Sequence, residues 1–111
     1  MNLPQIITKT ISQDSVQIAL AVSAELQAFE GHFDQAPIIP GVEQLRWVVE
    51  FAQECFKLEE IEIERVDALK FQNVIQPNSQ IHLSLVRKSN RIDFSFTSGE
   101  MRHSSGKVFI K

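Results

Sequence analysis

The hydrophobic positions along this chain follow two different periods, one typical of strands and one typical of a helix. Between residues 15 and 23, apolar side chains alternate with small or polar ones, which is the two-residue period of a strand with one buried face. The alternating residues are Val16, Ile18, Leu20 and Val22. Residues 5–11 are rich in β-branched side chains and are predicted to pair with this segment as a first strand.

A helix is predicted from Val42 to about residue 58, because this stretch holds no glycine or proline and its apolar residues recur with the helical period. Pro40-Gly41 marks its start. The predicted apolar face consists of Leu45, Val48, Val49, Ala52, Cys55 and Phe56. The predicted polar face consists of Glu43, Arg46, Glu50 and Glu54. We predict that Trp47 lies at the border between the two faces.

The remainder of the chain has the pattern of strands. Residues 61–75 form a long segment rich in β-branched residues, and the alternation slips between Val66 and Leu69, which indicates a bulge. Two alternating strands are predicted over residues 81–85 and 92–96. The polar stretch at residues 103–106 is predicted to be a turn that precedes a last strand over residues 107–111.

The predicted order is therefore two strands, one long helix and about four strands in a meander. One helix cannot cover both faces of such a sheet, so the economical solution is a curved antiparallel sheet wrapped around the helix. We predict an α+β hot-dog fold with five to six strands and one long central helix. A single domain is expected to span residues 1–111, and its free sheet edge favours a dimer.

Composition narrows the possible functions of this chain of 111 residues. Its net charge of −3 is unsuited to nucleic-acid binding, which depends on neutralisation of phosphates by Lys and Arg. The single cysteine, Cys55, excludes an intramolecular disulfide and any multi-cysteine metal site, and we predict that it is buried in the core. No apolar run approaches the roughly 20 residues that span a bilayer. We therefore expect a cytoplasmic protein that does not bind membranes.

Three histidines are too scattered along the chain to form a metal site. His82 alternates with the apolar residues of its strand and is predicted to lie on the surface. His103 falls in the predicted polar turn and is also expected to be exposed. His32 is different, because glycine, phenylalanine and proline residues flank it at defined spacings.

The segment Gly31-His32-Phe33, followed by Pro-Ile-Ile-Pro-Gly-Val at residues 37–42, resembles the G-H-F-x-x-x-P-x-x-P-G-V signature of 3-hydroxyacyl-[acyl-carrier-protein] dehydratases. Within that family, Gln44-Leu45 followed by Trp47 is similar to the small dehydratases of aryl-polyene biosynthesis. The resemblance continues through Lys70-Phe71 and residues 74–77 and covers most of the chain in order.

This resemblance implies removal of water from a 3-hydroxyacyl thioester to give a trans-2-enoyl thioester. His32 matches the base of the family, and imidazole is suited to proton transfer near neutral pH. Gly41 matches the backbone N–H that binds the thioester carbonyl, at a helix start where N–H groups lack partners. The other residues expected to bind substrate are Phe33, Pro40, Val42, Trp47 and Phe71. No metal or cofactor is expected, because the acyl group is carried on the phosphopantetheine of acyl carrier protein.

The acid of the family does not match. That position, fourteen residues after His32, is occupied by Arg46, which remains protonated and is a poor proton donor but can stabilise an anion. Glu43 and Glu50 lie on the same helical face as Arg46, so either carboxylate could supply the acid. Alternatively, these three residues are only an ion-pair pattern on a solvated helix surface.

Three functions remain open at this stage. The first is the dehydratase, with acyl carrier protein as its partner and a homodimer as its assembly. The second is a catalytically incomplete hot-dog subunit that binds acyl thioesters or forms a heterodimer with a complete homologous dehydratase. The third is a hot-dog acyl thioesterase.

Overall fold

The computed structural model describes residues 3–26 and 38–111. Within these two ranges the chain forms six strands and one helix. The elements are β1 (Gln5–Ile11), β2 (Ser15–Val22), α1 (Gly41–Cys55), β3 (Ile63–Phe71), β4 (Ser79–Arg87), β5 (Arg91–Ser98) and β6 (Met101–Ile110). His32, Gly31 and Phe33 lie outside the described residues.

The six strands form one antiparallel sheet in the order β1-β2-β4-β5-β6-β3. The prediction that β1 pairs with β2 is confirmed. The predicted meander is correct for β4, β5 and β6 but wrong for β3, which pairs with β6 at the far edge of the sheet. The chain leaves β2 near one edge and enters the sheet again at the other edge after α1, so β3 and β4 are not neighbours.

The predicted bulge lies in β3, where the pairing with β6 shifts between Asp67 and Lys70. Ala68 has a positive φ of 53° at this point. The strand itself is shorter than the predicted segment and ends at Phe71. The residues that follow, up to Asn78, form an irregular connection whose placement matters for the site.

The predicted turn at residues 103–106 is wrong, because these residues belong to the middle of β6. The turn before β6 is made at Gly99, whose positive φ of 57° suits a residue without a side chain. Little space is left for a side chain at two of these positions, because Ser104 lies against α1 and Gly106 against Phe94 of β5. Ser104 donates a hydrogen bond to Gln44, and a Cβ on Gly106 would lie 2.9 Å from the Phe94 ring.

One face of the sheet and one side of α1 share a single hydrophobic core. Strands β2, β4 and β5 each bury every second residue in their regular parts, as their alternating patterns predict. The buried residues of α1 are Gln44, Trp47, Val48, Phe51, Ala52 and Cys55. The buried side is thus rotated relative to the predicted one, since Leu45 and Val49 are only partly buried.

Trp47 is fully buried rather than placed at a border between polar and apolar faces. Its ring packs edge-on against Phe96 of β5, with 6.2 Å between the ring centroids. This contact explains the rotation of α1, because the largest side chain of the helix is placed against the centre of the sheet. A six-stranded antiparallel sheet packed on one long helix is the hot-dog arrangement, so the predicted fold is confirmed.

Candidate active site

A cavity of about 170 Å³ lies between the N-terminal end of α1 and the chain that follows β3. Its walls are residues 38–41, Gln44 and residues 71–74. Of the residues predicted to bind substrate, Pro40, Gly41 and Phe71 line this cavity. Trp47 does not line it, and Val42 is 72% exposed beside it in the first turn of α1.

The first turn of α1 places backbone N–H groups beside the cavity. Pro40 is the N-cap residue, and its side chain makes no capping hydrogen bond. Its carbonyl accepts from the N–H groups of Glu43 and Gln44, both at 3.1 Å. Among the described residues, the N–H of Gly41 has no acceptor within hydrogen-bond distance. An unpaired N–H at the positive end of a helix dipole is suited to binding a carbonyl oxygen or an anion.

Phe71 explains why residue 41 is a glycine. A Cβ built on Gly41 would lie 2.5 Å from Cζ of Phe71 and 2.9 Å from Cε1. The Phe71 ring therefore lies directly against the backbone of the first helical turn, although half of its surface remains exposed. The absence of a side chain on Gly41 allows both this contact and the close approach of a ligand to its N–H.

Gln44 is a buried polar residue that connects three parts of the site. Its Nε2 donates to the carbonyl of Ile39 at 3.1 Å, and its Oε1 accepts from the hydroxyl of Ser104 at 2.6 Å. These bonds attach the segment before α1 to the helix and the helix to β6. In the sequence, Gln44 stands out only as part of a family resemblance. The signal in the sequence is the spacing: Gln44 lies one helical turn before Val48, so both residues are placed on the side of α1 that faces the sheet.

His103 is buried, which contradicts the prediction of an exposed turn residue. It lies within β6, and its ring contacts Ser98 and the backbone carbonyls of Asn73 and Val74. This role could not be predicted from the sequence, because the surrounding serines and Gly106 have the composition of a turn. His82, by contrast, is exposed on β4 as predicted and contacts the side chain of Gln17 at 2.6 Å.

The three charged residues predicted to serve as acid or anion-binding groups lie away from the cavity walls. Arg46 pairs with Glu50, with 3.3 Å between Nε and Oε1, and their side chains are 54% and 34% exposed. Among the described residues, Glu43 makes no ion pair with Arg46. In a helix, residue 46 is rotated by about 200° from residue 44, so the pair points away from Gln44. The surface ion-pair interpretation therefore holds for Arg46 and Glu50 within one chain.

Cys55 is a buried, unpaired cysteine at the end of α1, as predicted. Burial raises the pKa of its thiol, so little thiolate is present near neutral pH and the residue is unsuited to nucleophilic catalysis. In the described part of the chain, no group of three His, Cys, Asp or Glu residues could hold a metal ion. No helix in residues 3–26 and 38–111 is long and apolar enough to cross a membrane.

A cavity at the start of the central helix of a hot-dog scaffold is thus the candidate binding site in the described part of the chain. The family model of the ApeI dehydratase, described as ApeI-like, matches residues 8–107. The chain therefore belongs to the ApeI-like dehydratase family. No curated protein matches the chain in sequence.

Two solved structures are similar to the chain over nearly its whole length. One is in the dehydratase heterocomplex ApeI:P from Xenorhabdus doucetiae, with 26% identity, a TM-score of 0.87, and coverage of 96% of both chains. The other is an uncharacterized protein from Erwinia carotovora subsp. atroseptica, with 27% identity, a TM-score of 0.84, and coverage of 97% of this chain and 95% of that one. An uncharacterized protein from Pyrococcus horikoshii, at 10% identity and a TM-score of 0.69, shares the fold.

Proposed function

We propose that this chain dehydrates 3-hydroxyacyl thioesters carried on acyl carrier protein. The observation that carries the proposal is the N–H of Gly41, which has no acceptor within residues 3–26 and 38–111. It lies at the start of α1 in the lining of a cavity that also presents apolar side chains. A thioester carbonyl bound there would develop negative charge as the neighbouring carbon loses its proton. A preorganised N–H donor lowers the energy of that charge in the transition state.

In this proposal His32 is the base. Its imidazole takes the proton from the carbon next to the carbonyl, the C–C double bond forms, and the hydroxyl on the next carbon leaves. The leaving hydroxyl takes up a proton and departs as water, so the products are the enoyl thioester and one water molecule. This role of His32 rests on the sequence motif, since the residue lies outside the described part of the chain.

The acid is proposed to come from a second subunit. The Arg46–Glu50 side of α1 faces away from the cavity of its own chain, so neither residue is placed to protonate a hydroxyl there. A homodimer would bring a second copy of Glu50 or Glu43 to the cavity, whereas a heterodimer would bring the carboxylate of a homologous dehydratase. The similarity to a chain of the dehydratase heterocomplex ApeI:P supports the heterodimer as the second candidate.

Acyl carrier protein is strongly acidic as a rule and is expected to dock on a basic surface. The candidates are five basic residues on β3, β4, β5 and their connections: Arg65, Lys70, Arg87, Lys88 and Arg91. Arg65 pairs with Asp67 at 3.0 Å and Arg91 with Asp93 at 2.9 Å. Among the described residues, Lys70, Arg87 and Lys88 have no carboxylate partner. Of these three, Lys70 is the one next in sequence to a cavity residue, Phe71. We therefore place the proposed docking surface around Lys70.

The test is an assay of the purified protein with 3-hydroxyacyl and trans-2-enoyl thioesters on acyl carrier protein, with mass detection of products. Turnover is expected in wild type and in His82→Ala, a control at an exposed histidine, and is expected to be lost in His32→Ala. Full activity in His32→Ala would contradict the role of His32. A folded protein without turnover alone but with turnover after addition of a homologous dehydratase would support the heterodimer. Release of free carrier thiol would identify a thioesterase.

A further inference from the structure

The connection between β3 and β4 forms one wall of the cavity without being part of the sheet. Residues 72–74 line the cavity, and Ile75, which is fully buried, follows them. The carbonyl of Ile75 accepts a hydrogen bond from the N–H of Ile39 at 2.9 Å. The position of this wall therefore determines the position of the segment that leads into Pro40 and Gly41.

His103 holds this wall from the sheet side. Its Nδ1 lies 3.2 Å from the carbonyl oxygen of Asn73 and 3.1 Å from that of Val74. Carbonyl oxygens only accept hydrogen bonds, so Nδ1 carries the proton and donates to them. The backbone carbonyl of His103 also accepts from the N–H of Gln72 at 2.9 Å and from that of Asn73 at 3.3 Å. One residue of β6 thus fixes three consecutive residues of the cavity wall.

The other ring nitrogen of His103 is also engaged. Its Nε2 lies 2.7 Å from the hydroxyl of Ser98, which in turn lies 3.1 Å from the carbonyl of Gln80. With only 6% of its surface exposed, the ring is held in one orientation by contacts on both sides. Both ring nitrogens are therefore paired, as burial of a polar ring requires, and the partners of Nδ1 are two carbonyls of the irregular cavity wall.

We propose that His103 is a positioning residue of the acyl-thioester site: by fixing residues 72–74 through Nδ1, it sets the distance between the cavity wall and the N–H of Gly41. The proposal rests on the proposed function for its effect on turnover, but the fixing of the wall is independent of it. Phe71, which contacts Gly41, immediately precedes the fixed segment. A small displacement of the wall would therefore move the ring that lies against the carbonyl-binding N–H.

Two substitutions separate the Nδ1 contact from the Nε2 contact. In His103→Asn the amide nitrogen lies close to the former position of Nδ1 and can donate to the same carbonyls. In His103→Gln the amide lies near the former position of Nε2, and a CH₂ group replaces the donor at the wall. We expect His103→Gln to lower kcat by roughly tenfold or more with KM changed much less, because misplaced groups slow a reaction more than they weaken binding. His103→Asn is expected to restore kcat to within about threefold of wild type.

Amide hydrogen exchange gives a readout that does not depend on catalysis. We expect the Ile39 amide to exchange roughly tenfold faster in His103→Gln than in wild type, and near the wild-type rate in His103→Asn, since loosening the wall exposes its bond to Ile75. His82→Gln, at an exposed histidine, is the matched control and should leave this exchange unchanged. Global unfolding midpoints of all variants separate a local change from general destabilisation.

The outcomes distinguish this proposal from the proposed function. Exchange at Ile39 that differs between the Gln and Asn variants, in a protein without dehydratase activity, would support the fixing of the wall and reject the dehydratase. Equal exchange and equal kcat in the two variants would overturn the positioning role of His103, even if wild type is an active dehydratase. If His103→Gln did not fold while His103→Asn did, this difference would show that folding itself requires a donor at the Nδ1 position, which supports the proposal.

Discussion

The two sides of α1 use polar residues in opposite ways. On the side that faces the sheet, Gln44 is buried and both of its amide atoms are bonded, one to Ile39 and one to Ser104. On the other side, Arg46 and Glu50 pair with each other and remain partly exposed to solvent. The first side contributes to the cavity, and the second does not.

This difference separates two parts of the proposed reaction. The group proposed to bind the carbonyl, the N–H of Gly41, lies in the first turn of α1 together with Gln44. The candidate acids that the sequence placed near Arg46 lie on the side of α1 that faces solvent in a single chain. Because the carbonyl-binding group and the candidate acids lie on opposite sides of one helix, they can meet in one site only if a second subunit contributes one of them.

The largest expected effect comes from Gly41→Ala. The added methyl group would lie 2.5 Å from Phe71 Cζ, so the ring must move, and its movement would displace the cavity wall that lies against the backbone of Gly41. We expect turnover to fall about 100-fold, comparable to loss of one donor of an oxyanion hole. The measurement is kcat/KM with a 3-hydroxyacyl thioester. Glu54→Ala, at an exposed position near the other end of α1, is the control and should change turnover little.

Stability should change much less in Gly41→Ala, because the Phe71 ring is half exposed and can move outward. Near wild-type turnover in a folded Gly41→Ala protein would mean that no substrate approaches this N–H. It would place the carbonyl-binding group elsewhere and remove the main support for the cavity as the active site.

An intermediate effect is expected from Gln44→Leu. The substitution leaves the buried hydroxyl of Ser104 and the carbonyl of Ile39 without their partner, which costs about 1–3 kcal/mol of unfolding free energy. Urea unfolding measures this loss. The matched control is Arg46→Leu on the solvent side, which should cost less than about 0.5 kcal/mol. Equal losses in the two variants would contradict the distinction between the two sides of α1.

The sequence predicted the parts of the molecule that depend on periodicity. The alternation in β2, β4 and β5 and the helical period of α1 were sufficient for the number and type of these elements and for the hot-dog fold. The residues that connect the elements at the cavity were not predicted. His103, Ser104 and Gly106 have the composition of a turn, yet they lie in β6 because their small or polar side chains fit against α1, β5 and the wall.

The limit of periodicity is also visible in α1. The pattern placed Trp47 at a border, because the angular position of one residue on a helix does not show which side faces the sheet. Packing of the Trp47 ring on Phe96 decides this and rotates the buried side towards Gln44. Of the residues predicted for the site, Gly41, Pro40 and Phe71 meet at the cavity, whereas Arg46 and Glu50 do not line it.

Substitutions of Arg46 are expected to change stability least. They also test most directly whether the solvent side of α1 takes part in the reaction. Arg46→Ala removes an exposed i,i+4 pair and should change the free energy of unfolding by less than about 0.5 kcal/mol. Arg46→Glu instead places two carboxylates one helical turn apart. Their mutual repulsion should raise the pKa of one of them, which favours the protonated form that a general acid requires.

The rate of dehydration by these variants then shows which subunit supplies the acid. If the chain works as a homodimer in which the solvent side of α1 meets the cavity of the second copy, Arg46→Glu should raise the rate, whereas Arg46→Gln, which lacks the acid, should not. If the acid belongs to a different chain, neither substitution should raise the rate of this chain alone, and addition of a homologous dehydratase should. A higher rate in both variants would mean that the positive charge of Arg46, rather than the missing carboxylate, limits the reaction, because arginine and glutamate differ in charge as well as in acidity.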